Sequence, residues 1–252
     1  SHGATVTLTV TPQEGYQLDT LTVTDKNGTE LNVTDKGNGE YTFTMPSSRV
    51  TVTAVFSPER QTEPDHDCPS KQFQDINTEE WYHEGVDYVV ENGFMLGTSD
   101  TTFAPNENTT RGMIVTILHR MEQEPVAATA NFTDVTSGQY YAEAIAWAAA
   151  NDIVNGYGDG RFGPDDSITR EQLATILYRY ADYKGYDVTG RADLSVYNDQ
   201  NQVSSYAMDA LSWACEAQLF EGVGAALLSP TTDSTRAQVA TILMRLADMM
   251  AQ

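Results

Sequence analysis

Three arginines occupy the same place in three similar stretches of this chain, each directly after a threonine: Thr110-Arg111, Thr169-Arg170 and Thr235-Arg236. An apolar run with helical spacing follows each pair. The threonine is therefore an N-cap candidate and the arginine the first helical residue. A helix start presents free N–H groups and partial positive charge, which makes it an anion site. An arginine there runs against the macrodipole, so three copies of an unfavourable choice suggest a use. A guanidinium fork can hold a carboxylate or phosphate bidentately. The alternative is a lock, in which each arginine pairs with a nearby aspartate (Asp75, Asp134 or Asp199). Both can hold at once, because a locked arginine is also preorganised.

The elements that must position these groups follow from a threefold internal repeat. With Trp81, Tyr140 and Tyr206 as origins, Tyr88, Trp147 and Trp213 come seven residues later. Gly97, Gly156 and Gly222 come sixteen later, Pro105, Pro164 and Pro230 twenty-four later, and the three arginines thirty later. Arg120, Arg179 and Arg245 come thirty-nine later and read as structural salt bridges or a solvated face. Ahead of each origin stands an aromatic-x-Asp: Phe73-Gln74-Asp75, Phe132-Thr133-Asp134 and Tyr197-Asn198-Asp199. Each repeat reads helix, loop, helix. The second helices carry stripes such as Leu173, Ile176, Leu177 and Tyr180, which predicts that they pack on one another. Gln172 and Gln238 complete capping boxes that Met113 breaks in the first copy. The origin aromatics have two readings, core plugs or platforms for sugar rings; Tyr88, Trp147 and Trp213 read as core.

The charge balance narrows the partner. There are 14 Lys+Arg against 36 Asp+Glu, a net charge of -22. Nucleic acid and charge-driven docking on an anionic membrane are excluded, since both need clustered cations. The longest apolar runs are too short for a membrane span. Six of the ten arginines sit at the two fixed repeat positions, so the positive charge is placed in register.

Residues 4 to 56 alternate with period two and predict a small all-β module of about five strands. These include one through Leu31 and Val33, with turns at Asp25-Lys26-Asn27-Gly28 and Lys36-Gly37-Asn38-Gly39. The opening Ser1-His2-Gly3 reads as a fragment of a longer protein. The expected layout is a β module over 1–57, a linker over 58–70, and repeats over 71–127, 128–188 and 189–252. Asp65-His66-Asp67-Cys68 reads as solvated linker rather than metal site, because no second ligand group is expected nearby. Cys68 and Cys215 permit one disulfide and prove none.

Other motifs carry no chemistry. Gly158 to Gly163 matches GxGxxG but lies between helices with no strand before it. Asp159 to Glu171 fails as a calcium loop because Arg161, Gly163 and Pro164 stand where ligands and the required glycine belong. No catalytic constellation stands out, so no enzyme, cofactor or metal is expected.

Taken together, the Phe-x-Asp openings, Trp81-Tyr82 and Tyr140-Tyr141, the loops Asn92 to Gly97 and Asn155 to Pro164, and the Thr-Arg helix starts resemble the S-layer homology family. The resemblance covers about residues 70 to 250. It implies a pseudo-threefold trimer of repeats within one chain, with grooves between repeats. It further implies non-covalent anchoring outside the cell on a Gram-positive-type wall, through a secondary cell-wall polysaccharide bearing acidic pyruvate ketals and linked to peptidoglycan. Carried over by position, the glycan-contacting candidates are Arg111, Arg170 and Arg236, Asp75, Asp134 and Asp199, Gly97, Gly156 and Gly222, and Trp81, Tyr140 and Tyr206. Departures at Met113 and at the third loop (Gly222-Val223-Gly224) imply unequal grooves. The β module, with Thr44-Met45-Pro46 and Val52 to Phe56, resembles short β repeats strung along bacterial surface proteins and reads as a stalk. The fragment is expected to be monomeric. The rival reading is a structural or self-assembly module whose arginines only lock the fold.

Overall fold

The computed structural model describes residues 3–12, 16–37, 39–58, 68–127, 131–223 and 226–251. The chain divides into two units, Ser1–Asp67 and Cys68–Gln252. The second begins inside the expected linker: Cys68 and Ser70 are buried, and Pro69–Gln72 form a 3-10 turn.

Among the described residues the first unit has five strands, β1 (Thr5–Thr9), β2 (Tyr16–Asp25), β3 (Thr34–Gly37), β4 (Glu40–Thr44) and β5 (Val50–Pro58). They form two antiparallel sheets, β1-β4-β3 and β2-β5. Val23 and Phe43, each on the inward face of its period-two strand, are its buried apolar side chains among the described residues. The expected strand through Leu31 and Val33 does not form. The Asp25 turn closes as read, its carboxylate accepting from the Asn27 and Thr29 N–H groups at 2.8 and 2.9 Å. The chain then crosses by the Leu31 N–H to Val23 carbonyl bond, and β2 pairs with β5 instead.

The second unit is six helices: α1 (His83–Glu91), α2 (Arg111–Met121), α3 (Ala142–Ala150), α4 (Arg170–Tyr183), α5 (Met208–Glu216) and α6 (Arg236–Met250). The repeat therefore gives helix pairs α1/α2, α3/α4 and α5/α6. The caps follow the sequence: Thr169 and Thr235 form full capping boxes with Gln172 and Gln238, whereas Thr110 only accepts from the Met113 N–H.

The packing differs from the expectation that the second helices stack on each other. The most extensive helix contacts run α2 to α3, α4 to α5 and α6 to α1, so each second helix packs on the first helix of the next repeat and the chain closes on itself. Gly85 permits the closing contact, because a Cβ there would lie 2.7 Å from the Thr241 backbone. Where the three Thr-Arg segments meet, Thr109 N–H donates to Ser234, Ser234 to Ile168 and Ile168 to Thr109, at 2.9, 2.8 and 2.9 Å. This triangle of backbone bonds marks the pseudo-threefold axis. Trp147 and Trp213 are buried as expected, and Tyr88 packs against the same core.

Candidate functional site

Each Thr-Arg arginine reaches out of its own repeat into the loop of the next. Arg111 donates from Nε to the Phe162 carbonyl and from Nη2 to the Asn155 carbonyl, at 2.9 and 3.2 Å. Arg170 does the same to Leu228 and Glu221, at 2.8 and 2.9 Å, and Arg236 to Phe103 and Leu96, at 2.7 and 2.6 Å. An aromatic ring backs each guanidinium: Phe162 and Tyr157 at 4.7 Å, Phe220 at 5.1 Å and Phe103 at 4.5 Å. All three arginines are buried. Among the described residues none lies within ion-pair distance of a carboxylate, and no acceptor meets Nη1. Burial lowers each arginine from its ordinary value, yet an arginine remains protonated in a protein. Each is thus a buried cation whose contacts are carbonyl dipoles and a ring face, with carboxylates (Asp134 and Asp166, Asp199, Asp75 and Glu107) acting on it only from beyond ion-pair distance.

Two expectations about these helix starts are corrected. The aspartates do not pair with the arginines. Asp75 accepts from the N–H groups of Phe103 and Ala104, Asp134 from Phe162 and Gly163, and Asp199 from Leu228 and Ser229, at 2.6–2.8 Å. The second residue of each pair has positive φ (58°, 74° and 50°), so the carboxylate clamps a turn in the left-handed region. Nor are the helix N–H groups free for an anion. Arg111 N–H donates to Asp166 and Gly112 N–H to Pro164; Arg170 and Glu171 donate to Thr232 and Pro230; Arg236 and Ala237 donate to Glu107 and Pro105. The cap threonine takes the third N–H, and the first two go to the neighbouring loop.

The loop glycines are required by close packing. A Cβ on Gly97, Gly156 or Gly222 would lie 2.5, 2.8 and 2.8 Å from the rings of Phe73, Phe132 and Tyr197. The opening aromatic of each repeat thus presses on its own loop.

Two grooves between repeats each draw on all three repeats. One cavity of about 350 Å³ is lined by Arg111 from the first repeat, Asn155 to Tyr157 and the Gln172, Thr175, Ile176, Arg179 face from the second, and Tyr206 from the third. A second, about 210 Å³, is lined by Arg170 from the second repeat, Gly222 and the Gln238, Thr241, Ile242, Arg245 face from the third, and Trp81 from the first. The equivalent residues of the third position are Arg236, Gly97, Met113, Arg120 and Tyr140. Trp81, Tyr140 and Tyr206 are 55, 57 and 53 % exposed, so they are not core plugs. The Tyr206 hydroxyl donates to Glu171 at 3.0 Å, which tethers one end of the exposed ring.

Arg179 and Arg245 are expected as structural salt bridges or a solvated face; Arg245 does form an ion pair, and both also stand on groove walls. The spacing held the signal: positions 172, 175, 176 and 179 fall at i, i+3, i+4 and i+7, on the face opposite Arg170. Helix α4 therefore gives Arg170 to one groove and Arg179 to the other. The grooves differ in charge. Arg245 pairs with Glu221 at 3.2 Å, while Arg179 has no ion pair among the described residues.

Cys68 and Cys215 are both free. Asp65, His66 and Asp67 lie outside the described residues. The expectation of no second ligand group near Cys68 is corrected, since His83 and Asp87 stand against its sulfur.

A closed ring of helix-loop-helix repeats, each clamping the next loop with a Thr-Arg arginine, defines the class. Residues 72–112 and 131–174 match the S-layer homology domain, and residues 1–60 match the Divergent InlB B-repeat domain. The chain thus carries S-layer homology repeats behind a Divergent InlB B-repeat, and the third repeat, beyond the matched segments, reproduces their arginine and aspartate bonds. It is 30% identical over 175 residues to an endoglucanase of Bacillus sp. (strain KSM-635), covering 69% of this chain and 18% of that one. It is 28% identical to the surface-layer 125 kDa protein of Lysinibacillus sphaericus (69% and 15%). It is 29% identical to the S-layer protein sap of Bacillus anthracis (42% and 13%). The chain spans less than a fifth of these relatives' length. The similarity to enzymes runs through the S-layer homology part alone. That part is a cell-wall anchoring module, which places the protein at the cell surface. Among the described residues no helix is long and apolar enough to cross a membrane.

Proposed function

We propose that this chain anchors a surface protein non-covalently by binding an acidic, pyruvylated secondary cell-wall polysaccharide in the grooves between its repeats, with the β module as a stalk. The observation that carries this reading is the buried arginine without a carboxylate, beside an exposed ring from a different repeat. A ketal carboxylate at the Nη1 edge would give the guanidinium the contacting counter-charge that two carbonyls and more distant carboxylates do not supply. The sugar face would rest on Tyr206 or Trp81, and the Gln172 or Gln238 amide would take hydroxyls.

The Arg111 groove is the principal site in this reading. Among the described residues it has two arginines without an ion pair, and the larger of the two cavity volumes, within the range of small-molecule pockets. The Arg170 groove is second, since Glu221 occupies Arg245. Met113 deprives the third of an amide. The aspartates and loop glycines act by holding the loop rather than by touching sugar. Activity of a longer parent protein belongs to other regions.

The lock reading is favoured by the Nε and Nη2 bonds, and it accounts for the arginines' burial. It does not account for three exposed aromatics around them. The test uses groove residues outside the lock. Tyr206→Ala and Arg179→Ala should each weaken binding to purified wall polysaccharide by about tenfold or more, with the melting temperature of Arg179→Ala unchanged. Full binding by both variants would leave the lock as the arginines' whole role.

A further inference from the structure

The start of the first repeat holds a second cluster that the grooves do not use. Cys68 Sγ lies 2.8 Å from His83 Nε2 and 3.0 Å from Asp87 Oδ2, and these two are 3.1 Å apart. The three come from two chain segments: His83 and Asp87 share one face of α1 at i and i+4, and Cys68 is delivered by the residue preceding the Pro69–Gln72 turn. Cys68 and Asp87 are buried, while the His83 side chain keeps 17% exposure and leaves an entry path.

We propose that Cys68, His83 and Asp87 bind a transition-metal cation, zinc by preference, that clips the beginning of the repeat unit onto α1. The donor set is one thiolate, one imidazole and one carboxylate. That mixture selects zinc over magnesium or calcium, which take oxygen ligands. In a tetrahedral zinc site the donor atoms stand about 3.5 Å apart. The cluster therefore needs to open by about half an ångström, within reach of side-chain rotation. Binding forms the metal–sulfur bond as the Cys68 proton leaves to solvent, and a water completes the fourth position on the exposed side. The supporting shell is in place: the buried Ser70 N–H donates to Asp87 Oδ1 at 2.8 Å, which leaves Oδ2 turned to the sulfur. The two equivalent positions in the other repeats carry Ala142 and Ala146, then Met208 and Ser212, so the cluster belongs to the first repeat alone.

The experiment is cobalt(II) titration of the full chain, followed by zinc competition. The expected result is one cobalt per chain with a thiolate-to-cobalt charge-transfer band, abolished by zinc. Cys68→Ser should lose the band, and His83→Gln should weaken binding by about 100-fold. Cys215→Ser should change nothing. Zinc at a hundredfold excess over its Kd should raise the melting temperature by about 5 °C or more, and His83→Gln should remove most of that shift. Cobalt bound without the charge-transfer band, or a band that survives in Cys68→Ser, would overturn the proposal. Should Cys68→Ser fail to fold, an unchanged band and affinity in His83→Gln overturns it equally.

Discussion

Arg111 of the first repeat donates from Nε to the carbonyl of Phe162 in the second at 2.9 Å, and its guanidinium lies 4.7 Å over the ring of that same residue. One side chain thus grips both the backbone and the side chain of its neighbour. Arg170 grips the third repeat through Leu228 and Arg236 grips the first through Phe103, so the ring closes with three latches of one design.

The latch requires the fork and not only the charge. Arg111→Lys keeps a cation but cannot serve two carbonyls and a ring face together. It should lower unfolding stability by about 2 kcal/mol. Arg179→Ala, on the groove wall, should change stability by less than about 0.5 kcal/mol. Chemical denaturation of the two variants checks the pair, and equal losses would contradict the assigned roles.

The Asp134 clamp sets an acid limit. Burial pushes its carboxyl up, but the N–H groups of Phe162 and Gly163 outweigh this and hold it below the usual carboxylate range. A depressed folded value means its contribution is complete above the unfolded value of about 3.9 and is lost as pH falls through the folded value. Asp134→Asn should cost about 1–2 kcal/mol at pH 7. The gap to wild type should narrow below about pH 4. Denaturation measured from pH 7 to pH 2.5 gives the comparison, and a gap that widens in acid would refute the clamp.

The repeat fold, its caps and its buried tryptophans were legible because each depends on local spacing. The ring closure was not, because helical stripes show which face is apolar but not which helix will cover it. The same limit hid the grooves. Arg170 and Arg179 share a helix yet serve different cavities, and only the cyclic arrangement brings Tyr206 of the third repeat beside Arg111 of the first. The helix N-termini were misread as anion sites because sequence cannot show that Asp166 and Pro164 carbonyls already meet those N–H groups. The Cys68 cluster escaped notice because fifteen residues separate the cysteine from His83.

Two hydroxyls at the pseudo-threefold axis are unsatisfied. Among the described residues Thr109 Oγ1 and Ser234 Oγ are buried without a partner, while the equivalent residue of the second repeat is Ile168. Thr109→Val removes a desolvated hydroxyl at nearly constant shape. It should raise stability by about 1 kcal/mol, a shift of about 2–4 °C in melting temperature. A fall in melting temperature would show that the hydroxyl is satisfied in solution.

The central claim is that a ketal carboxylate meets the buried arginines that no carboxylate contacts. Calorimetric titration with purified wall polysaccharide fragments, with the pyruvate ketal intact and with it removed, tests this most directly. The account predicts binding to the intact fragment, weakened about tenfold or more when the acid is removed. Equal affinity for the two fragments would contradict it.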